Sequence, residues 1–168
     1  SLVEYIIAAQ DAPPAGIRPF PSQIQTKHFS LSIEVLSTDG IEQPWGIEFV
    51  TERRALVTEH PGKLRWLLDG KLDPEPIAGI PPVYHTGNGL GGLMDVALDP
   101  DYVKNGWVYL AYVHTDHDPK ALSSPAMTRI IRGKIQDHQW VDQEVLFQVN
   151  KELMLGHGTR WGCRLLID

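Results

Sequence analysis

Two stretches of this chain open alike. Trp45-Gly46-Ile47-Glu48-Phe49-Val50 and Leu93-Met94-Asp95-Val96-Ala97-Leu98 begin 48 residues apart, and each leads into further short apolar runs broken by turn residues. A third opening, Cys163-Arg164-Leu165-Leu166-Ile167-Asp168, follows 70 residues after the second, the gap being widened by a polar stretch at 114–125 that reads as a loop. Repeats of roughly 40–50 residues, each built from four short strands, are what β-propeller blades produce. A β-sandwich also spaces its strands evenly, but it has no reason to repeat an opening. The propeller is therefore the expectation and the sandwich the alternative.

The runs inside each cycle read as strands. Phe29, Leu31, Ile33 and Val35 alternate with polar partners, the period of a half-buried strand. Residues 45–50, 55–58 and 64–68 follow, separated by breaks of hairpin length, and Asp69-Gly70 is a further turn. In the second cycle the strands expected are 93–98, 107–113, 127–135 and 140–149, with turns at Asp99-Pro100-Asp101 and Asn105-Gly106. With 15 Gly and 13 Pro among 168 residues, turns must be frequent and long helices are not expected. A propeller closes only with about 4–8 blades, so the chain is expected to form an incomplete arc of two to three four-stranded blades. The apolar end at 165–167, with no turn after it, reads as a strand cut from a longer chain.

Upstream, Pro13, Pro14, Gly16, Pro19 and Pro21 mark an extended leader, placed at 1–27, ahead of a propeller portion at 28–168. Residues 2–10 fit the remnant of a signal peptide's apolar stretch, with a short terminal strand or helix as the alternative. Charge narrows the partners: 15 Lys plus Arg against 21 Asp plus Glu give a net −6, without the basic surplus of a nucleic-acid binder. No apolar run reaches the ~18–20 residues that span a bilayer. The single cysteine, Cys163, excludes an internal disulfide and a C-x-x-C zinc pair, and its strand setting predicts burial.

Several motifs carry chemistry on paper. Gly87-Asn88-Gly89-Leu90-Gly91-Gly92 satisfies G-x-G-x-x-G, but no helix fits before Pro100, so a dinucleotide site is not expected. The plainer reading is a loop whose backbone passes close to a ligand or to another strand. Asp99, Asp101 and Asn105 resemble a calcium loop, yet Gly106 falls two positions late and no acidic anchor follows; turn formation is expected instead. His114 and His117 read as surface residues of a mobile insertion, and His60 as a hairpin-turn residue. His157, between Gly156 and Gly158 just before a blade opening, is a candidate catalytic residue, with an exposed loop histidine as the alternative.

Taken together, Pro44-Trp45-Gly46-Ile47-Glu48-Phe49, Leu56-Val57-Thr58-Glu59-His60-Pro61-Gly62-Lys63-Leu64-Arg65, Gly91-Gly92-Leu93-Met94-Asp95-Val96-Ala97-Leu98-Asp99-Pro100-Asp101-Tyr102, Asn105-Gly106-Trp107-Val108-Tyr109-Leu110 and Trp161-Gly162-Cys163-Arg164-Leu165 resemble the soluble quinoprotein glucose/sorbosone dehydrogenase family over about residues 31–168. The resemblance implies a six-bladed propeller with pyrroloquinoline quinone (PQQ) and calcium at its axis. It also implies export to the periplasm or cell exterior and oxidation of aldose sugars at the anomeric carbon, with the electron acceptor unspecified.

In that family a histidine opening a His-x-Gly-x-Arg stretch takes the anomeric hydroxyl proton while hydride leaves for the quinone. Here Gly162 and Arg164 match, but Arg160 stands at the base position, and a guanidinium stays protonated. A glutamine that contacts the quinone normally precedes Gly-Gly-Leu, and here that position is Leu90. The resemblance thus leaves Gly91, Gly92 and Arg164 as cofactor-binding candidates and His157 as a base supplied from a shifted loop. It places the calcium ligands beyond Asp168 and no metal site in this portion. The alternative is a non-catalytic propeller that binds a carbohydrate or a protein partner.

Overall fold

The computed structural model describes residues 21–35, 40–86, 91–154 and 161–168. It opens with a small exposed hairpin, β1 (Gln23–Gln25) against β2 (Ser30–Ser32). The strand expected over 29–35 is therefore only three residues long. Phe29 and Val35 flank it in solvent, because among the described residues no second layer covers the apolar side of the alternation.

Hairpin chemistry then builds the first sheet: β3 (Pro44–Thr51), β4 (Arg54–Glu59), β5 (Lys63–Leu68) and β6 (Lys71–Leu72), antiparallel and in chain order. Its fourth strand is the two-residue β6, not the 29–35 segment. Asp69 and Gly70 both take positive φ, 50° and 74°, and Leu68 pairs with Lys71 across them. Such a two-residue turn matches the right-handed twist of the strands it joins.

The second sheet repeats the pattern with β7 (Leu93–Leu98), β8 (Val108–His114), β9 (Met127–Gln136) and β10 (Gln139–Gln148). Between β7 and β8 the expected Asn105-Gly106 turn is one turn of helix, α1 (Tyr102–Asn105), closed by Gly106 in the left-handed conformation. A 3-10 turn at Lys151–Leu153 follows β10.

The two sheets pack face to face. Leu56, Leu64 and Trp66 of the first meet Val96, Val108, Leu110, Ile131 and Trp140 of the second, with Ile77 and Val83 of the connecting segment between them. Leu56, Leu64, Val108, Leu110 and Ile131 are fully buried; removing each from water contributes about 1.5–3 kcal/mol. The sheets draw together at their first strands, where β3 and β4 lie against β7. The segment after β6 runs out to the far strand, where Ala78 bridges Gln139, before returning to β7.

Consecutive four-stranded meanders that stack on one another and converge at their first strands are propeller blades. The chain is thus all-β, an incomplete propeller arc. Residues 161–168 lie on the far face of the second blade, where Trp161, Cys163 and Leu165 pack against the cluster of Tyr84, Met94, Ala111, Val113 and Ala126. They belong to no assigned strand, yet half-buried and exposed residues alternate along them, the pattern of a third inner strand. Cys163 is half-buried, so the burial expected of it is only partial. Among the described residues no helix is long and apolar enough to cross a membrane.

Candidate functional site

The sequence of the β4–β5 turn puts His60 where two blades meet. It is a turn residue, as expected, but only 3% exposed. Its carbonyl accepts the Leu93 N–H at 3.0 Å, tying the first blade to the start of β7. Its ring stacks on Trp45 with centroids 4.7 Å apart and meets His85 edge-on at 5.0 Å. Trp45 itself remains 55% exposed. Burial holds the His60 imidazole below its ordinary pKa, and neighbouring His85 acts in the same direction against a hydrogen bond at Gly91. The buried Nε2 of His85 and Oγ1 of Thr86 have no hydrogen-bond partner among the described residues.

Gly91 and Gly92 lie beside this corner. Both have positive φ, 80° and 98°. A Cβ on Gly91 would fall 2.1 Å from the Tyr84 carbonyl oxygen, and one on Gly92 would fall 2.3 Å from that of His60. The close neighbours are thus backbone carbonyls of the segment before β7 and of the β4–β5 turn, where the expectation named a ligand or another strand, and positive φ with so little room requires glycine at both positions.

Farther along the inner strands lies a charged group. The side chain of Asp95, on β7, is 4% exposed, and its Oδ2 accepts the Leu165 N–H at 2.6 Å. Its Oδ1 is 3.5 Å from Nη1 of Arg164, a side chain that is 71% exposed. On β3, Gly46 N–H donates to Thr58 Oγ1 at 2.8 Å, and a Cβ on Gly46 would meet Asp95 Oδ1 at 3.0 Å. Glu48 shares the neighbourhood: burial raises its carboxyl pKa, Arg164 works against that rise and Asp95 adds to it. Burial, then Asp95, also raises the Cys163 thiol. The inner segments of three successive cycles thus converge on one buried carboxylate.

The remaining candidates divide plainly. Leu90, His157 and Arg160 lie outside the described residues, whereas Gly91, Gly92 and Arg164 are placed as above. Asp99 accepts hydrogen bonds from Asp101 N–H, Asn105 Nδ2 and Tyr109 Oη at 2.7–2.9 Å, so the calcium-like run is a turn. His114 is not a loop residue: it ends β8, mostly buried, with Nε2 3.1 Å from Asp116 Oδ1. The insertion after it is tied down, with Tyr84 Oη donating to the Leu122 carbonyl and Ser124 Oγ to that of Asp118. Among the described residues no three His, Cys, Asp or Glu side chains gather as a metal site.

Neither the Trp45–His60–His85 corner nor the Asp95 group was singled out from sequence. A signal for the second did exist. Glu48 and Asp95 are acidic residues inside otherwise apolar strand openings, and a buried strand carries a charge only where something pairs with it.

The comparisons agree with this architecture. The family model described as Glucose / Sorbosone dehydrogenase matches residues 41–168. An uncharacterised protein of Synechocystis sp. is 35% identical over 133 residues, covering 76% of this chain and 30% of that protein. The aldose sugar dehydrogenase YliI of Escherichia coli is 30% identical over 142 residues, covering 83% of this chain and 36% of that enzyme. A crystal structure of a glucose dehydrogenase superposes with TM-score 0.56 at 34% identity, covering 66% of this chain and 31% of that one. The apo form of the soluble aldose sugar dehydrogenase of Escherichia coli gives 0.54 at 30% identity, covering 64% and 30%. The chain spans about a third of the length of the curated relatives it matches. With two blades built as the sequence pattern requires and the family model matching from residue 41 through the segment beside Asp95, the chain belongs to the glucose/sorbosone dehydrogenase family.

Proposed function

We propose that this chain is the N-terminal part of an exported aldose sugar dehydrogenase that uses PQQ, with calcium, to oxidise its sugar at the anomeric carbon. In this reading residues 1–27 are a leader and 28–168 the first part of the propeller. The observation that carries it is the family match over 41–168, which ends on a segment holding Arg164 beside the inner strands. The residues present suit the cofactor. PQQ is an anionic, carboxylate-bearing quinone, and Arg164 offers a largely exposed, permanently charged donor fork. Gly91 and Gly92, the other two candidates, are buried against the Tyr84 and His60 carbonyls, so their part in the site is to let the backbone segments pack closely there. When bound, the quinone supplies the hydride acceptor.

The chain's own residues would bind, orient and deprotonate. Arg164 holds a carboxylate, and the His157 imidazole accepts the anomeric hydroxyl proton, a role the protonated Arg160 guanidinium does not fill. The calcium ligands come from the rest of the full-length protein.

The full-length protein supplied with PQQ, calcium and an artificial electron acceptor is expected to show aldose-dependent dye reduction, and His157→Ala to lower kcat about 100-fold. Arg160 and Leu90 favour a second reading, a non-catalytic propeller that binds a carbohydrate or a protein partner. That reading gains if no aldose supports dye reduction while the Arg160→His, Leu90→Gln variant acquires activity.

A further inference from the structure

We propose that Asp95 is a positioning residue: its buried carboxylate sets the place of the third inner segment, and with it the direction in which Arg164 presents its charge. This rests on the reading of that segment as part of the cofactor site. Among the described residues, 161–168 pair with no strand, so no ladder among them fixes their register. Their backbone is tied to β7 where the Leu165 N–H donates to Asp95 Oδ2, at 2.6 Å and between residues 70 apart in sequence. The adjacent Arg164 meets the other oxygen of the same carboxylate at 3.5 Å.

A side chain that accepts a backbone N–H with one oxygen and faces the next residue's guanidinium with the other fixes register and side-chain direction together. Sliding the segment by one residue would break both contacts and turn Arg164 toward the apolar cluster that now receives Cys163 and Leu165. Asp95 is itself held in place. Gly46 leaves room for it, and Thr58 Oγ1, which also accepts from Gly46, donates to the neighbouring Met94 carbonyl at 3.3 Å. A strand opening that looks merely apolar thus carries one acidic residue with a defined task.

The test uses the full-length protein and two readouts. Amide exchange at Leu165 reports the contact whether or not the enzyme turns over, and equilibrium PQQ affinity reports its consequence. Asp95→Asn keeps an acceptor for Leu165 and is expected to hold its protection within about threefold of wild type, whereas Asp95→Ala loses it by about tenfold or more. Asp95→Ala should weaken PQQ binding about tenfold, and Asp95→Asn in an Arg164→Ala background should add nothing further, because the two residues act as one unit.

Unchanged Leu165 exchange in Asp95→Ala overturns the proposal. So does exchange that rises equally in β4, which would make Asp95 a general stabiliser, and so do PQQ effects of Asp95→Asn and Arg164→Ala that simply multiply. Failure of the wild-type protein to bind PQQ or oxidise an aldose would overturn the proposed function instead, and the exchange readout would still decide the contact.

Discussion

At the scale of single residues, close backbone approach and burial set the strongest constraints. Gly92→Ala forces a left-handed alanine whose Cβ would lie 2.3 Å from a backbone carbonyl that has no flexible end to move aside. It is expected to cost at least about 2 kcal/mol, read as a lower urea midpoint. Gly162→Ala meets nothing within 4 Å among the described residues and should change the midpoint by less than about 0.5 kcal/mol. His60 gives the pH dependence. Its folded-state pKa lies below the unfolded 6.5, so between those values the unfolded state binds more protons. Its contribution is full above pH 6.5 and is lost as pH falls through the folded value. His114, lowered chiefly by burial with Asp116 opposing, adds in the same direction. Urea midpoints measured from pH 8 down to 5 should therefore fall, and His60→Gln should flatten the slope. The turn role of His60 was legible in His60-Pro61-Gly62; its burial was not, because that depends on Trp45 and the segment around Gly92 arriving from other parts of the chain.

At the scale of elements, β4 and β8 carry the blades. Leu110 on β8 is fully buried between the sheets, and Leu110→Ala is expected to cost about 2–5 kcal/mol in denaturant unfolding, whereas Val103→Ala on the 95% exposed helical turn should be nearly silent. The β4–β5 hairpin also holds a buried ion pair. Glu59 is fully buried, and Arg65 reaches it at 3.5 Å while donating to the Gly40 and Asp73 carbonyls. Arg65→Met strands the Glu59 carboxylate and should cost about 3–5 kcal/mol, with part of that recovered in the Arg65→Met, Glu59→Gln double variant. Strands 44–51, 54–59, 63–68 and 93–98 were readable because their apolar runs end in strong turn residues. β6 was not, since two residues hold no periodicity, and the 29–35 alternation misled because alternation states which side could be buried, not whether anything buries it.

At the scale of the whole molecule, the far face of the second blade is only partly covered by residues 161–168. On the outer strand β10, Phe147 pairs with Ile130 of the far-face cluster and is about half exposed, and in a closed ring a neighbouring blade lies on the face of the one before it. In the full-length protein Phe147→Asp is therefore expected to lower the thermal midpoint by several degrees, more than a half-exposed position would suggest. An unchanged midpoint would mean that this face stays in solvent. The site positions that the resemblance implies divide at this scale as well. Arg164, Gly91 and Gly92 are named as candidates by motif alone, whereas the contact between Asp95 and Arg164 at 3.5 Å required the fold.

What the sequence determined by itself is local and periodic: short strands, their turns, a repeat of propeller kind, and a family whose motifs run in order along the chain. Each follows from interactions within a few residues, or from a pattern that recurs. The tertiary structure alone decided what those strands meet. It made a turn histidine a buried blade contact, gave two glycines their carbonyl neighbours, and joined Asp95 to a segment 70 residues away. Such contacts depend on how whole sheets stack, and stacking is fixed by the combined burial of many side chains, so no single stretch of sequence contains it.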